Sequence, residues 1–341
     1  MGDPKRWLGL DIGGANLKAA TASGYARSAP FALWKEPGRL AAAIGGLLAD
    51  APPHDALAVT MTGELADCFA SKAEGVAAIV AAVSDTSDGA AVWCYSLGGG
   101  GRFLPPEDAI VHWPLVAAAN WHALAAAVAL EWAAGGLLID IGSTTTDVIP
   151  FDRSGATTNS TTDTERLLSG ELVYAGVGRT PLCAVVDALP YRGAECPVAA
   201  EFFATTGDVM LLLGHASEGD DRPTADDRPF TVEAATARLA RMVCADEASF
   251  NRKDAVAAAE AAWGSLVNTI AHAVRRVVGA AGQPAGRVVV AGEGERLAMA
   301  VLDRLGWGDQ ADRLADRIGE RASGCACAWA VARLAEERDG S

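Results

Sequence analysis

The segment Leu8-Gly9-Leu10-Asp11-Ile12-Gly13-Gly14-Ala15-Asn16-Leu17-Lys18-Ala19-Ala20 has the pattern of a β-hairpin. Apolar residues alternate at the strand period on both sides of Gly13-Gly14. These glycines are expected to supply the positive φ of a tight turn, and they leave room for a ligand to meet backbone amides. Asp11 and Lys18 place one charge of each sign beside the turn.

The chain repeats this pattern about a domain length later, in Gly136-Leu137-Leu138-Ile139-Asp140-Ile141-Gly142-Ser143-Thr144-Thr145-Thr146-Asp147-Val148. Asp140-Ile141-Gly142 has the same offset from its apolar run as Asp11-Ile12-Gly13, and Asp147 takes the position of Lys18. The repeat predicts two similar lobes that face each other. Hydroxyls and amides in the second turn suit phosphate oxygens, although a ligand-free, threonine-rich hairpin is the alternative because threonine favours strands.

A third glycine turn follows the apolar run Val288-Val289-Val290-Ala291. It is not a dinucleotide fingerprint, because Leu297 stands where the third glycine belongs. A strand that ends in glycines within an α/β lobe is interpreted as a shelf for an adenine or another flat group. The residues of this shelf are Gly292, Glu293 and Gly294.

Composition limits the function classes. Forty-three acidic residues against 28 basic ones give a net charge of −15, which argues against nucleic acid or an anionic membrane as a partner. The segment Met1–Arg6 leads directly into a short strand, so no secretory signal is expected. Seven scattered cysteines are typical of reduced thiols, and a cytoplasmic enzyme is expected. The sequence leaves open whether the protein forms a homo-oligomer.

Three further polar residues are candidate substrate contacts, each with a structural alternative. Asn120 lies in a predicted helix over Leu115–Trp132 and is either a ligand contact or a satisfied buried amide. Arg179, on a glycine-rich turn, is either an anion contact or part of a solvated loop. Asp208 follows an apolar stretch and either lines a cleft or caps a helix.

As a set, the two Asp-Ile-Gly hairpins, the Ala-Gly-Glu-Gly turn and the closing helix of small residues resemble the actin/Hsp70/sugar-kinase superfold. Middle segments resemble its hydantoinase A/oxoprolinase-like branch, and a compact subgroup linked to tetrahydromethanopterin-dependent one-carbon metabolism is similar over nearly the whole chain. These segments are Val59–Leu65, Ala117–Trp121 and Tyr174–Pro181.

The resemblance implies an α/β, two-lobed, actin-like fold of duplicated ribonuclease H-like type with an interlobe cleft. Residues 1–115 would form the first lobe. Residues 116–322 would form the second lobe, including a substrate-side insertion at about 151–281. Residues 323–341 would form a C-terminal helix that returns to the first lobe.

The resemblance further implies a transferase of methanofuran, or methanofuran-analogue, biosynthesis. It would join an aminomethylfuran diphosphate to the phenol oxygen of a tyramine- or tyrosine-derived acceptor and release diphosphate. Mg²⁺ is the implied cofactor, with Asp11 and Asp140 as metal-side residues and Asp147 beside them. The base would be Glu64, Asp147 or Asp208. The phosphate contacts would be Gly13, Gly14, Asn16, Lys18, Gly142, Ser143, Thr144 and Thr145.

Two other functions remain open at this stage. One is an ATP-dependent small-molecule kinase or an amide hydrolase like the larger hydantoinase and oxoprolinase relatives, in which ATP would also be a cofactor. The other is a non-catalytic nucleotide-binding protein. The sequence leaves open whether the bound phosphate belongs to ATP or to the substrate.

Overall fold

A computed structural model describes residues 5–219, 223–281 and 287–340. Two mixed β-sheets dominate it, and each contains one copy of the repeated hairpin. The first sheet has the strand order β3-β2-β1-β4-β5-β6. Its strands are β1 (Trp7–Ile12), β2 (Asn16–Ala20), β3 (Ala26–Pro30), β4 (Ala56–Met61), β5 (Ala91–Ser96) and β6 (Arg102–Leu104).

The second sheet has the order β10-β8-β7-β13-β14, with β9 paired to β8, and a separate hairpin joins β11 to β12. The strands are β7 (Gly136–Ile141), β8 (Thr146–Asp152), β9 (Gly155–Ala156), β10 (Leu172–Val173), β11 (Ala188–Tyr191), β12 (Ala194–Pro197), β13 (Arg287–Ala291) and β14 (Ala311–Arg313).

The two sheets repeat the same local pairing. Strand β1 pairs antiparallel with β2 and parallel with β4, and β7 pairs antiparallel with β8 and parallel with β13. The register places Asp11 opposite Lys18 in the first sheet and Asp140 opposite Asp147 in the second. The predicted two-lobed α/β architecture is therefore confirmed, and the two aspartates are structural equivalents.

Thirteen helices are present in the described ranges. They are α1 (Leu40–Ala49), α2 (Lys72–Thr86), α3 (Pro106–Val111), α4 (Trp113–Val116), α5 (Asn120–Glu131), α6 (Asp163–Ser169), α7 (Thr206–Leu212), α8 (Val232–Met242), α9 (Arg252–Ala281), α10 (Glu295–Leu305), α11 (Leu314–Ile318), α12 (Glu320–Ser323) and α13 (Ala326–Gly340). None of the helices in these ranges is both long and apolar enough to span a membrane.

Helices α5 and α13 pack against each other and connect the two sheets. Helix α13 lies on β1 and β4, while α5 lies on β8 and β9. The approach of α13 to β1 is so close that a Cβ at Gly9 would stand 1.9 Å from the carbonyl oxygen of Ala328. Small residues on α13 permit this contact, which brings the two repeated hairpins together.

The segment between β8 and β13 adds a second layer to the second sheet. Its helices α7, α8 and α9 and the β11–β12 hairpin enclose a core of their own, in which Leu182, Leu239 and Phe250 are buried. Helix α9 also contacts β8 and α10, so its apolar faces join this core to that of the second sheet.

Two local expectations were wrong. The helix predicted over Leu115–Trp132 is divided into α4 and α5 because Ala118 adopts a φ of 50°, which an α-helix cannot contain. Gly13 and Gly14 do not adopt positive φ. At Gly13 the turn instead requires close backbone approach, since a Cβ there would lie 2.9 Å from the Asn16 carbonyl oxygen.

Candidate functional site

The two hairpin turns face each other across a cavity of about 340 Å³ between the sheets. Most residues proposed from the sequence line this cavity. They are Asp11, Gly13, Gly14, Asn16, Lys18, Glu64, Asn120, Asp140, Gly142, Ser143, Thr144, Thr145, Asp147 and Arg179. Asp208 and the Gly292–Gly294 turn do not line it.

Both turns have the same internal hydrogen bond. The amide of Gly13 donates to the carbonyl of Asn16 at 3.0 Å, and that of Gly142 donates to the carbonyl of Thr145 at 2.9 Å. Five further turn amides have no backbone acceptor in the described part of the chain: those of Gly14, Ala15, Ser143, Thr144 and Thr145. Each turn therefore presents amide donors to the cavity, an arrangement that suits anionic oxygens.

A glycine turn supports the second hairpin from behind. The amides of Val177, Gly178 and Arg179 donate to the carbonyls of Gly142 and Ser143 at 2.8–3.0 Å. A Cβ at Gly176 would stand 2.3 Å from the Gly142 carbonyl oxygen. The segment that resembles the hydantoinase branch thus has a physical role, since only glycine permits this contact.

Lys18 lies between carboxylates of both sheets. Its Nζ is 3.8 Å from Oε1 of Glu293, and it faces Asp11 across the β1–β2 pair. Burial lowers the pKa of Lys18, but the attraction of Glu293 and Asp11 outweighs this effect and raises it. Burial raises the pKa of Asp11 to about 6, although Lys18 lowers it. Lys18 is therefore a permanent cation on the cavity wall.

Asp140 and Asp147 occupy facing positions on β7 and β8, but their environments differ. Removal from bulk water, with repulsion from Asp147, raises the pKa of Asp140 to about 7. Asp147 accepts a hydrogen bond from Arg166 at 2.5 Å, and the guanidinium lies 4.2 Å from the centre of the Trp121 ring. Asp147 is thus held in an ion pair, whereas Asp140 is available for a ligand.

The carboxylates fit a metal ion only if the ligand completes its coordination. Oδ1 of Asp11 is buried without a hydrogen-bond partner, and Asp140 has a raised pKa, so both would gain from a cation. In the described ranges no three His, Cys, Asp or Glu side chains converge to form a metal site by themselves. Mg²⁺ commonly retains waters and phosphate oxygens beside one or two carboxylates, which agrees with this donor set.

Glu64 lies in a short 3₁₀ turn directly after β4. Its side chain is only 1% exposed, and its Oε2 has no hydrogen-bond partner. Burial raises its pKa to about 7, despite the opposing effects of a backbone hydrogen bond and of Lys72. A buried carboxylate at the cavity wall with such a pKa is suited to take up a proton near neutral pH.

Of the two remaining candidate substrate contacts, Asn120 lies at the cavity and Asp208 does not. Asn120 is the first residue of α5 rather than a mid-helix residue, and its amide donates to Sγ of Cys327 at 3.6 Å. Asp208 is bound by Arg238, at 2.6 Å, and by the amide of Thr205, so it stabilises the start of α7. The proposal that Asp208 is a base or a substrate contact has no support in this geometry.

The predicted glycine shelf lies against the end of β7. A Cβ at Gly292 would lie 2.4 Å from Oδ1 of Asp140, and one at Gly294 would lie 2.4 Å from Cγ2 of Ile141. The turn therefore packs directly on the end of β7. Its accessible side chain is that of Glu293, which lines a second cavity.

Sequence reasoning missed Arg166, Lys72 and Asp163. Lys72 on α2 forms an ion pair of 2.9 Å with Asp163 on α6, which connects the two sheets beside the cavity. Arg166 is 1% exposed. Helix α6 has only seven residues, too few for a periodic pattern that would reveal a buried arginine. The available signal was the capping box of Thr162 and Glu165, which marks the start of this helix.

Comparisons with known proteins agree with the resemblance inferred from the sequence. A family model described as Hydantoinase/oxoprolinase matches residues 55–338. A (4-{4-[2-(gamma-L-glutamylamino)ethyl]phenoxymethyl}furan-2-yl)methanamine synthase of Methanocaldococcus jannaschii is 31% identical over 338 residues, 97% of this chain and 98% of the relative. A protein of the same name from Methanococcus vannielii is 32% identical over 170 residues, 50% of this chain and 75% of that relative.

Solved structures are similar at the level of the fold. A nucleotide-free structure of acetone carboxylase has a TM-score of 0.51 at 11% identity, covering 95% of this chain and 70% of that chain. An archaeal actin homologue has a TM-score of 0.44 at 13% identity, covering 98% and 99% of the two chains. The family match over 55–338 and the full-length relative identify the chain as a member of the hydantoinase/oxoprolinase family.

Proposed function

We propose that this protein is an ether-forming transferase of methanofuran, or methanofuran-analogue, biosynthesis. Its donor is an aminomethylfuran diphosphate, its acceptor is a phenol derived from tyramine or tyrosine, and diphosphate is the leaving group. The observation that carries the proposal is the pair of amide-donating turns that face each other beside Lys18. The relatives are named for a phenoxymethylfuran, and such a product contains the ether bond that this reaction would form.

The cavity supplies what a leaving diphosphate requires. Two turns provide separate sets of amide donors, and Lys18 adds a positive charge between them. As the bond from the furfuryl carbon to oxygen breaks, its electron pair stays on the diphosphate, so these groups stabilise the charge that develops. Mg²⁺ held by Asp11 and Asp140 would supply further charge neutralisation on the same oxygens.

Glu64 is the residue proposed to accept the proton of the phenol. The phenol oxygen forms the new bond to the furfuryl carbon, and the proton that it loses passes to the Glu64 carboxylate. A phenol has an ordinary pKa of about 10, so removal of its proton strengthens the nucleophile. Asp147 is a weaker candidate because Arg166 already occupies its oxygen.

The rim of the cavity offers apolar surface for two aromatic substrates. Tyr174 is 60% exposed and Leu65 is 54% exposed, and both line the cavity together with Trp34. Exposed aromatic and apolar groups at a concave site favour stacking with flat ligands. This surface would hold the furan and the phenol rings in line, which lowers the entropic cost of the reaction.

The test is a reconstituted reaction without ATP. Purified protein, aminomethylfuran diphosphate, γ-glutamyltyramine or tyramine, and Mg²⁺ are expected to yield the ether by mass spectrometry and an equal amount of diphosphate. Asp140→Asn is expected to abolish turnover and to retain the fold by circular dichroism, whereas Asp85→Asn on the exposed face of α2 should behave as wild type. Ether formation only when ATP is present would contradict the proposal and favour an ATP-dependent enzyme.

A further inference from the structure

A second cavity, of about 280 Å³, adjoins the first on the side of β2 and β3. The two cavities share four lining residues, Ala15, Asn16, Ser143 and Arg179. The shared wall is thus made of one hairpin turn from each sheet and of the turn behind the second hairpin. An elongated ligand could therefore reach from the diphosphate site into the second cavity.

Arg179 is a cation at the junction of these cavities. Its guanidinium lies 4.4 Å from the centre of the Trp34 ring, and no carboxylate in the described ranges forms an ion pair with it. Burial lowers the pKa of Arg179, as expected for a charge without a compensating anion. An anionic ligand group would supply that compensation, and a planar carboxylate matches the fork of guanidinium donors.

Glu293 places the opposite charge on the same cavity. It lines the second cavity but not the first, and its side chain is 32% exposed. The contact between Glu293 and Lys18 is long, at 3.8 Å, so the carboxylate oxygens of Glu293 can accept hydrogen bonds from another cation. Among the residues that the structure describes, the lining of this cavity has one positive and one negative side chain, which are complementary to an α-amino-acid zwitterion.

We propose that the second cavity binds the amino-acid end of the phenolic acceptor, with its α-carboxylate on Arg179 and its α-ammonium on Glu293. The inference rests on the proposed function, because it assigns the part of the acceptor that lies away from the phenol. The phenol then enters the first cavity past Asn16 and Ser143, while the charged end fixes the orientation of the acceptor. Arg179 and Glu293 are binding residues that select the acceptor.

An adenosine group fits this cavity less well. Adenosine is uncharged, so it would exclude water from Arg179 without giving it a partner, and Glu293 would keep only its long contact with Lys18. The Gly292–Gly294 turn, where an adenine was expected from the sequence, contributes only Glu293 to the described lining of this cavity. A zwitterion satisfies both charges, which is why the observations favour the acceptor.

The experiment compares two acceptors that differ in the charged end. With γ-glutamyltyramine, Arg179→Gln is expected to lower kcat/KM by about 10- to 100-fold, the range of a lost charge-assisted hydrogen bond. With tyramine, which lacks the glutamyl group, the same variant should lose much less of its kcat/KM than with γ-glutamyltyramine, and the KM of the furan diphosphate should change less than that of γ-glutamyltyramine. Arg179→Lys should restore part of the loss because it keeps the charge without the fork. Glu293→Gln should also raise the KM of γ-glutamyltyramine selectively.

Arg275→Gln, on the exposed face of α9, is the matched control and should match wild type with both acceptors. Equal losses with both acceptors, or a raised KM for the diphosphate donor, would overturn the assignment of Arg179. Calorimetric titration of γ-glutamyltyramine into the donor-free protein separates the two proposals. Unchanged affinity in Arg179→Gln, or displacement by AMP, would overturn the cavity assignment, whereas absence of ether from wild type with either acceptor would overturn the proposed function.

Discussion

Replacement of Glu64 by glutamine should change stability and activity in opposite directions. The two side chains have nearly the same size, and Glu64 is 1% exposed, so the substitution removes a charge without a cavity. The buried carboxylate has no partner at Oε2 and holds its proton to a pKa of about 7, against 4.5 for an ordinary glutamate. Above pH 7 the folded protein must therefore bury a charge that glutamine lacks.

The sign follows from proton binding. Between pH 4.5 and about 7 the unfolded chain has released this proton while the folded chain still binds it. The free energy of unfolding therefore falls as pH rises through this window. At about 1.4 kcal/mol for each pH unit, the loss attributable to Glu64 reaches roughly 3 kcal/mol by pH 8. Glutamine does not ionise, so the variant does not have this pH-dependent loss. Its free energy of unfolding relative to wild type should therefore increase by about this amount from pH 4.5 to 8.

The assay is urea denaturation of both proteins across pH 5 to 8 without added divalent cations. The difference between variant and wild type removes the shared contributions of Asp11 and Asp140, whose pKa values are also raised. Glu260→Gln, at an exposed position of α9, is the matched control and should behave as wild type in this assay. A difference that stays constant across this range would refute the argument that burial controls Glu64.

Activity should follow the opposite course. The wild-type kcat/KM for ether formation is expected to rise through about pH 7 as Glu64 loses its proton. Glu64→Gln should lower the rate at pH 8 by about 10²- to 10⁴-fold, the usual contribution of a general base, and should abolish this inflection. Wild-type activity in the variant would show that another group takes the phenol proton.

Two further substitutions test the parts that hold the hairpins. Gly176→Ala should destabilise the protein by about 1–3 kcal/mol in urea denaturation, because its Cβ would meet the backbone of Gly142 and Ser143. Its ether-forming activity should fall further than its stability, since the amides that face the diphosphate would move. Asp147→Asn should cost about 3–5 kcal/mol in the same assay, because the Arg166 charge is 1% exposed and would keep only the 4.0 Å contact with Asp163.

Each substitution has a control that isolates its cause. Gly264→Ala lies within α9 with open space around it, so it should not destabilise the protein. Adding Arg166→Met to Asp147→Asn removes the buried charge that has lost its nearest partner and should recover much of the stability. Retention of wild-type activity by Gly176→Ala, or no recovery in the double variant, would contradict the respective explanation.

The repeated hairpin was predictable because its information is local. Strand alternation, a terminal aspartate and a glycine turn lie within 13 residues, and the same set recurs from Gly136 onward. Side-chain alternation follows from the strand period, so Asp11 and Asp140 could be placed at equivalent strand ends. In the structure, the second strand of each hairpin places Lys18 opposite Asp11 and Asp147 opposite Asp140.

Helix division and glycine geometry were not predictable to the same degree. Ala118 adopts a positive φ although alanine is a strong helix former, because the surrounding structure overrides local propensity. Glycine is needed at position 13 because a Cβ there would lie too close to the Asn16 carbonyl, and not because the residue has a positive φ. This contact depends on where the Asn16 carbonyl lies. Both errors reflect forces that act between segments.

The sequence by itself determined the duplicated α/β architecture, the family and the two facing turns, since each depends on residues that are neighbours in the chain. Only the tertiary structure decided how the charges pair. Arg166 donates a hydrogen bond to Asp147, 19 residues away in the sequence, and Arg238 donates one to Asp208, 30 residues away. Within the described ranges, no oppositely charged side chain is in direct contact with Glu64 or Arg179. Ion pairing depends on distance and burial, which a linear sequence does not contain, and it therefore separates structural carboxylates from those available to a ligand.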